Sequence, residues 1–249
     1  MKTFGLIGHP LGHSFSRQFF TEKFEREGID AEYLNFDLAD IQQLQQVMDE
    51  HPHLCGFNVT IPYKQQVMPF LDELSDEARE IGAVNVVRVC RDSGEPKLKG
   101  FNSDIIGFMD SIRPLLQPHH RRALVLGTGG ASKAICVGLL RLGLEWRYVS
   151  RTAREGHFTY ADITPELLND YTVIVNCSPL GMSPRIDSFP ELPYRVLTDR
   201  HLLYDLVYNP QETLFMRMGR RQGAAVKNGL EMLHLQAIAS WNFWNETVS

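Results

Sequence analysis

A glycine-rich turn between an apolar segment and a helix-like segment constrains the fold of this chain more than any other feature. Residues 124–132 read Leu-Val-Leu-Gly-Thr-Gly-Gly-Ala-Ser, and helical periodicity follows over Ala131–Leu142. Glycines permit a tight turn there and let backbone N–H groups approach a pyrophosphate, whose charge the helix N-terminus favours. A plain structural turn is the alternative, and Ser132 departs from the GxGxxG/A pattern. Because both flanks fit, we predict dinucleotide binding by Gly127, Thr128, Gly129, Gly130 and Ala131.

The residues after the following strand indicate which dinucleotide would bind. About 20 residues beyond the glycine turn, the chain reads Ser150-Arg151-Thr152. An enzyme that uses NAD usually carries Asp or Glu at this place, where it contacts the ribose hydroxyls. An arginine and two hydroxyl groups suit a 2′-phosphate instead, so we predict NADP as the cofactor. The alternative is a solvated basic turn.

Short strand-like segments alternate with helix-like segments over the whole chain, which predicts an α/β fold with mostly parallel sheets. Residues 86–90 and 97–101 bracket a turn-rich sequence and predict a β-hairpin. Residues 64–71 are expected to be helical, with Pro69 marking a break. The pattern starts afresh after residue 104, so we expect two α/β lobes with a boundary near residues 102–120.

Composition excludes several classes of protein. The 249 residues are 43% hydrophobic and 22% charged, an ordinary globular profile, and the net charge of −5 gives no general case for binding nucleic acid or membrane. No apolar run reaches 18 residues, and the four cysteines are too scattered for a disulfide framework or a CxxC metal site. The nine histidines lack ligand spacing to a carboxylate cluster, which argues against a metal-dependent hydrolase. We expect a cytoplasmic protein without a metal.

Polar residues of the first hundred positions form a second candidate site. Ser14 and Ser16 stand two residues apart before a helix; Ser16 is expected to cap that helix, and paired serines could bind a carboxylate. Thr60 lies on one face of a strand, and Lys64 follows it. Taken singly, these residues, with Asn85 and Asp104, read equally well as caps, turns or surface charges.

Their combination and order resemble the shikimate dehydrogenases. The resemblance spans nearly the whole chain, and its motifs are Gly12–Ser16, Asn58–Lys64, Gly82–Asn85, Asn102–Asp104, Gly127–Ser132, Ser150–Thr152, Asn176–Met182, Tyr204–Tyr208 and Asn228–Gln236. It implies a two-lobed α/β fold with a central cleft. Residues 1–103 and 231–249 would form a substrate-binding catalytic domain, and residues 104–230 a Rossmann-like NADP-binding domain. It also implies NADP-dependent, reversible reduction of 3-dehydroshikimate to shikimate on the route to aromatic amino acids, by a monomer or homodimer.

The resemblance also implies roles for individual residues. Lys64 and Asp104 match the catalytic pair, and Ser14 and Ser16 match the serines that hold the substrate carboxylate. The positions that match further substrate contacts are Thr60, Asn85, Asp104, Tyr208 and Gln236. The positions that match cofactor contacts are Gly127, Thr128, Gly129, Gly130, Ala131, Ser150, Arg151, Thr152, Leu206 and Gly229.

Two other functions fit the same motifs. A quinate/shikimate dehydrogenase that prefers NAD shares Lys64 and Asp104 but calls for an acidic residue near Ser150. A non-catalytic NADP-binding regulator on the same two lobes is expected to have lost the lysine–aspartate pair, which this chain keeps. The chain departs from the family pattern at Arg17, which replaces a proline, and at Arg154, which stands one place early.

Overall fold

Two six-stranded sheets organise the chain, one in each of two compact units. The computed structural model describes residues 1–12, 14–91 and 94–245. The first unit comprises Met1–Ser103 with Gln236–Ser249, and the second comprises Asp104–Leu235. The predicted α/β class is confirmed. The C-terminal helix begins in the second unit and ends in the first.

The first unit combines parallel and antiparallel strands. Its strands are β1 (Lys2–Gly8), β2 (Ala31–Asp37), β3 (Leu54–Val59), β4 (Glu73–Leu74), β5 (Val86–Cys90) and β6 (Lys97–Phe101), in the sheet order β2-β1-β3-β5-β6-β4. Its helices before residue 104 are α1 (Phe15–Glu27), α2 (Leu44–Glu50) and α3 (Asp76–Ile81). Strand β1 pairs in parallel with β2 and β3, and β5 runs antiparallel to both β3 and β6.

Alternating side chains on these strands build two cores, one on each face of the sheet. Ile7, Phe57 and Val87 point to one face and pack with α2. Phe4 and Leu6 belong to the other face, where they meet aromatic residues of α1 and of the C-terminal helix. These aromatic residues include Phe20, Phe24 and Trp244. A sheet covered on both faces explains why its strands are nearly all buried.

One expectation for the first unit is confirmed and another needs correction. The sheet is mostly parallel, with three parallel pairings, and the β5–β6 hairpin, which forms as predicted, adds two antiparallel ones. Residues 64–71 do not form an α-helix; they form turns and a 3-10 helix over Met68–Phe70. Pro69 accounts for this difference, since it lies inside the segment and has no N–H group for a helical hydrogen bond.

The second unit is a parallel sheet with helices on both faces. Its strands are β7 (Arg122–Leu126), β8 (Glu145–Ser150), β9 (Phe158–Thr159), β10 (Val173–Asn176), β11 (Leu202–Asp205) and β12 (Ala225–Lys227), in the order β12-β11-β10-β7-β8-β9, and every pairing is parallel. The helices are α4 (Asp104–Ile112), α5 (Gly130–Arg141), α6 (Pro165–Asp170), α7 (Leu214–Arg221) and α8 (Leu230–Asn245).

The strands of this sheet read as continuous apolar runs because both faces are buried. Val125 and Val175 pack on one face with residues of α4 and α5. Leu124 and Ile174 pack on the other face with α6 and α7. In such a sheet, the loops after the carboxyl ends of the strands are free to bind ligands.

Candidate active site

The loop that leads from the end of β1 to Ser14 starts beside the end of β3. The Thr60 N–H donates to the Ile7 carbonyl at 2.9 Å, and a Cβ added at Gly8 would stand 2.5 Å from Thr60 Cγ2. Only glycine therefore lets the end of β1 approach Thr60 this closely. Asp37 ties down the loop that follows, because its carboxylate pairs with His9 Nδ1 at 2.7 Å and accepts from the Leu11 N–H at 3.1 Å.

The two serines of this loop have different partners. Ser14, and not Ser16 as expected, is the N-cap of α1, since its Oγ accepts from the Arg17 N–H at 3.1 Å. The expectation was wrong because the helix begins at Phe15, two residues before the start that a cap at Ser16 would give. Ser16 is hydrogen-bonded to the Tyr33 hydroxyl instead. Both serines are half-buried. His13, between the glycine and Ser14, lies outside the described residues.

Tyr33 connects Ser16 to a buried amide. Its hydroxyl donates to Asn58 Oδ1 at 2.8 Å, and burial raises the pKa of this hydroxyl well above its usual value. Asn58 Nδ2 donates to the Asn85 carbonyl at 3.2 Å and to Ser240 Oγ at 3.0 Å. Sequence reasoning missed Tyr33, because an aromatic residue in an apolar strand carries no signal of a polar contact.

Asn85 and Gln236 lie at the other end of this network. Both side chains are buried, and both contact the hydroxyl of Ser103. Lys64 is half-buried in the turn after β3, and its carbonyl accepts from the Val84 N–H at 2.7 Å. Asp104 is buried and opens α4, the first helix of the second unit.

The glycine turn of the second unit has the geometry that a phosphate needs. Gly127 has a φ of 97°, in the left-handed region that favours glycine, and a Cβ there would stand 3.3 Å from the Ser178 nitrogen. Gly129 is the N-cap of α5 and offers no side chain to the first N–H groups of that helix. A Cβ at Gly129 would meet nothing within 4 Å. The turn therefore leaves open space in front of the helix N-terminus, where an anion is stabilised.

The basic turn after β8 presents Arg151 to solvent. Ser150 is buried, and its hydroxyl donates to the Thr152 carbonyl at 2.7 Å, so Ser150 shapes the turn. Arg151 and Thr152 are exposed. The Arg151 charge interacts with Tyr160. Burial raises the pKa of Tyr160, and the positive charge of Arg151 lowers it.

Leu206 and Gly229 are brought together after β11. A Cβ added at Gly229 would stand 2.2 Å from the Leu206 carbonyl oxygen, a backbone atom that cannot move aside cheaply. The Gly229 N–H donates to the Val207 carbonyl at 3.2 Å. Tyr208, two residues further along from Leu206, is exposed. Glycine is required at position 229 because two chain segments touch there through their backbones.

Asp205 holds the segments around these residues and was not assigned a role from the sequence. Its carboxylate accepts from Asn176 Nδ2 at 2.9 Å, from the Val207 N–H at 3.0 Å and from the Thr213 hydroxyl. Burial raises its pKa to about 6, and these three bonds limit the rise. The available signal was an acidic residue at the end of an apolar strand, where an unpaired charge would be costly.

Asp205 is expected to give the protein a recognisable pH dependence of stability. Because the folded pKa lies above the ordinary 3.8, the folded state binds the proton more tightly, and this group's contribution falls as pH rises from about 4 to 6. Relative to Asp205→Asn, the wild type should lose up to about 3 kcal/mol of unfolding free energy over that range. Urea unfolding of both proteins between pH 4.5 and 7.5 measures the difference, and a constant difference would contradict the assignment.

Two kinds of feature are absent from the described part of the chain. No group of three or more His, Cys, Asp or Glu side chains within residues 1–12, 14–91 and 94–245 is arranged to hold a metal ion. Over the same residues, no helix combines the length and the apolarity needed to cross a membrane.

The parallel sheet, the open glycine turn and the uncapped start of α5 define a dinucleotide-binding α/β protein. Residues 6–87 match the family model described as the shikimate dehydrogenase substrate binding domain. The NADP(+) shikimate dehydrogenase of Caldanaerobacter subterraneus subsp. tengcongensis is 37% identical over 98% of this chain and 91% of its own. The chain belongs to the shikimate dehydrogenase family, which confirms the resemblance.

Solved structures share the fold over their whole length. The shikimate dehydrogenase of Thermus thermophilus, solved with NADP(H) and shikimate, is 30% identical, with a TM-score of 0.84 over 100% of this chain and 95% of that one. A 5-ketofructose reductase of Gluconobacter sp. strain CHM43, solved without ligand, is 25% identical, with a TM-score of 0.81 over 100% and 94%. Since the fold is shared with a reductase of another name, the residues of the site must decide the substrate.

Proposed function

We propose that this protein reversibly reduces 3-dehydroshikimate to shikimate with NADPH, using Lys64 and Asp104 as its catalytic pair. The observation that carries the proposal is the network running from Ser16 through Tyr33 and Asn58 to Asn85. These buried hydrogen-bonding groups belong to the unit that matches the substrate-binding family model, which supports a site for a small polyhydroxylated acid. The first unit binds the substrate, and the second binds the cofactor.

The second unit suits NADP. The pyrophosphate would be held by the backbone of Gly127, Thr128, Gly129, Gly130 and Ala131. The 2′-phosphate would meet the turn of Ser150, Arg151 and Thr152, and Leu206 with Gly229 would border the nicotinamide. When bound, NADPH supplies the hydride for the carbonyl carbon of the substrate.

The substrate would be oriented by neutral hydroxyl and amide groups together with one carboxylate. Ser14 and Ser16 would donate hydrogen bonds to its carboxylate, and for this the Ser16 hydroxyl turns its proton from Tyr33 to the substrate. The residues that contact the ring hydroxyls and complete the substrate site are Thr60, Asn85, Asp104, Tyr208 and Gln236. Fixing the ring in this way reduces the entropic part of the barrier, because the carbonyl is held ready for reaction.

Lys64 completes the chemistry at the carbonyl oxygen. As negative charge develops on that oxygen, the Lys64 ammonium stabilises it and donates a proton, which yields the hydroxyl group. In the oxidative direction, the neutral amine takes the proton back. Asp104 binds a substrate hydroxyl and is the second member of the catalytic pair.

A direct assay tests the proposal. The rates of shikimate oxidation, quinate oxidation and 5-ketofructose reduction are each measured at 340 nm, once with NADP(H) and once with NAD(H). We expect the highest kcat/KM for shikimate with NADP. A preference for quinate and NAD would favour the second candidate from the sequence, and no turnover with any pair would favour a regulator.

Replacing the paired serines should affect substrate binding more than turnover. Ser16→Ala removes a bond to a charged carboxylate, worth about 1.5–3 kcal/mol, and should raise KM for shikimate about 10- to 100-fold with a smaller fall in kcat. Ser14→Ala should raise KM and also lower the melting temperature, because Ser14 caps α1.

A matched control separates these two effects of Ser14. Ser75 caps α3 in the same way, with its Oγ accepting from the Ala78 N–H at 3.1 Å. Ser75→Ala should lower the melting temperature without changing KM. Equal rises in KM for Ser75→Ala and Ser14→Ala would show that cap loss, rather than carboxylate binding, is the cause.

We also propose that the enzyme acts in the cytoplasm as a monomer or homodimer. All four cysteines are free thiols, as is usual in a reducing compartment. Light scattering coupled to size-exclusion chromatography determines the number of subunits.

A further inference from the structure

Ser103 occupies the centre of the buried polar network in the first unit. Its side chain is fully buried, and its hydroxyl lies between two amides that the proposed function assigns to substrate binding. Asn85 Nδ2 donates to Ser103 Oγ at 3.0 Å, and the Ser103 N–H donates to Asn85 Oδ1 at 2.7 Å. Ser103 therefore holds both ends of the Asn85 amide.

The direction of the remaining bonds follows from counting protons. Ser240 donates its own hydroxyl proton to the Gln236 carbonyl at 2.8 Å, so towards Ser103 it can only accept. The Ser103 proton then has three acceptors, Ser240 Oγ at 3.1 Å, Gln236 Oε1 at 3.2 Å and Asn85 Oδ1 at 3.3 Å. One buried hydroxyl thus accepts from one amide and donates towards the other.

This arrangement determines how the amides face a ligand. Because Gln236 Oε1 is one of the acceptors that face the Ser103 hydroxyl, Ser103 favours the orientation in which the oxygen of that amide points towards it and Nε2 points away. An amide that is free to flip would present its oxygen or its nitrogen to a hydroxyl group, and choosing one orientation costs binding free energy. A hydroxyl that fixes both amides in advance removes that cost.

We propose that Ser103 is a positioning residue that sets the orientation of the Asn85 and Gln236 amides for the hydroxyl groups of the substrate. The inference rests on the proposed function. Ser103 itself does not touch the substrate; it acts through the two amides. Deleting its hydroxyl should therefore weaken shikimate binding and leave the binding of NADP unchanged.

Steady-state kinetics of Ser103→Ala test the inference. We expect KM for shikimate to rise about tenfold, kcat to fall less than about threefold, and Kd for NADP to stay the same. In a Gln236→Ala background, the same change should raise KM by less than about threefold, since one of the two amides is gone. Fully multiplicative effects on KM would overturn the proposal.

Two variants test whether a rise in KM for shikimate comes from disturbed packing instead of the missing hydroxyl. Ser103→Thr keeps the hydroxyl, so its KM for shikimate should stay within about threefold of the wild-type value. A rise in KM equal to that of Ser103→Ala would overturn the proposal. Should Ser103→Ala not fold, Ser103→Cys fills the position with only a weak donor. Its KM for shikimate should rise as is expected for Ser103→Ala.

A matched control and two further variants isolate the cause. Ser111 is a buried serine of the second unit that donates to the Gly107 carbonyl at 2.7 Å, and Ser111→Ala should lower the melting temperature without raising KM for shikimate. If Asn85→Ala and Gln236→Ala raise KM while Ser103→Ala does not, this inference fails and the proposed function stands. If neither amide variant raises KM, the proposed substrate site itself is wrong.

Discussion

Replacing Lys64 by alanine is expected to lower the turnover of shikimate by about 10²–10⁴-fold, the usual cost of losing a positioned acid–base group. Affinity for NADP should remain nearly unchanged, because Lys64 belongs to the first unit and the glycine turn to the second. Asp104→Ala should cause a loss of the same order, because the role proposed for this aspartate is to bind the substrate as the second member of the catalytic pair. The two losses should not multiply in the double variant, because the residues act together.

Three measurements establish the role of Lys64. Single-turnover kinetics report the chemical step, fluorescence titration gives Kd for NADP, and the melting temperature reports folding. Lys97→Ala is the matched control, because Lys97 is an exposed lysine at the start of β6 in the same unit. A Lys64→Ala variant that turns over shikimate at close to the wild-type rate would remove Lys64 from the mechanism.

The second large effect concerns the choice of cofactor. Arg151→Ala should weaken NADP binding about 10- to 100-fold, the equivalent of charged hydrogen bonds worth about 1.5–3 kcal/mol, and should change NAD binding much less. The 2′-phosphate carries about two negative charges and needs positive donors. Arg151 is the exposed cation of the turn, whereas the Ser150 hydroxyl already donates to Thr152.

The ratio of kcat/KM for NADP to kcat/KM for NAD measures this effect. Arg121→Ala is the control, because Arg121 is an exposed arginine just before β7, at the opposite end of that strand from the glycine turn. Arg154→Ala determines whether the arginine that stands one place early contributes. A wild type that prefers NAD, or an unchanged ratio in Arg151→Ala, would favour the quinate/shikimate hypothesis.

The sequence predicted the second unit better than the first, and for a physical reason. A parallel sheet buried on both faces produces apolar runs separated by helices, so β7, the glycine turn and α5 could be located within a residue or two. In the first unit, residues 64–71 carry helical periodicity, but Pro69 removes an N–H group that a helix requires. Pairing with β5 makes the first sheet mixed, and local pattern does not encode which strand a hairpin joins.

The candidate site shows the same limit at the level of single residues. Motif order predicted which serines, amides and charged groups to examine, and local geometry decided how they are held. Ser14 rather than Ser16 is the cap because the helix start is shifted by two residues. Tyr33 and Asp205 organise their surroundings through partners that are distant in sequence, such as Asn58 and Asn176. Long-range hydrogen bonds of this kind have no signature in a single sequence.

Helix α8 has a consequence for the order in which the chain can fold during synthesis. Its Trp244 lies so near Gly56 that a Cβ there would stand 2.4 Å from the indole, and its Ser240 accepts a bond from Asn58. The first unit therefore lacks part of its core and a partner for a buried amide until residues 236–245 leave the ribosome. The second unit is one continuous stretch, 104–235, and is synthesised completely before that. Residues 1–103 therefore cannot complete their core until the last residues of α8 have been made, which departs from the amino-terminus-first order of co-translational folding.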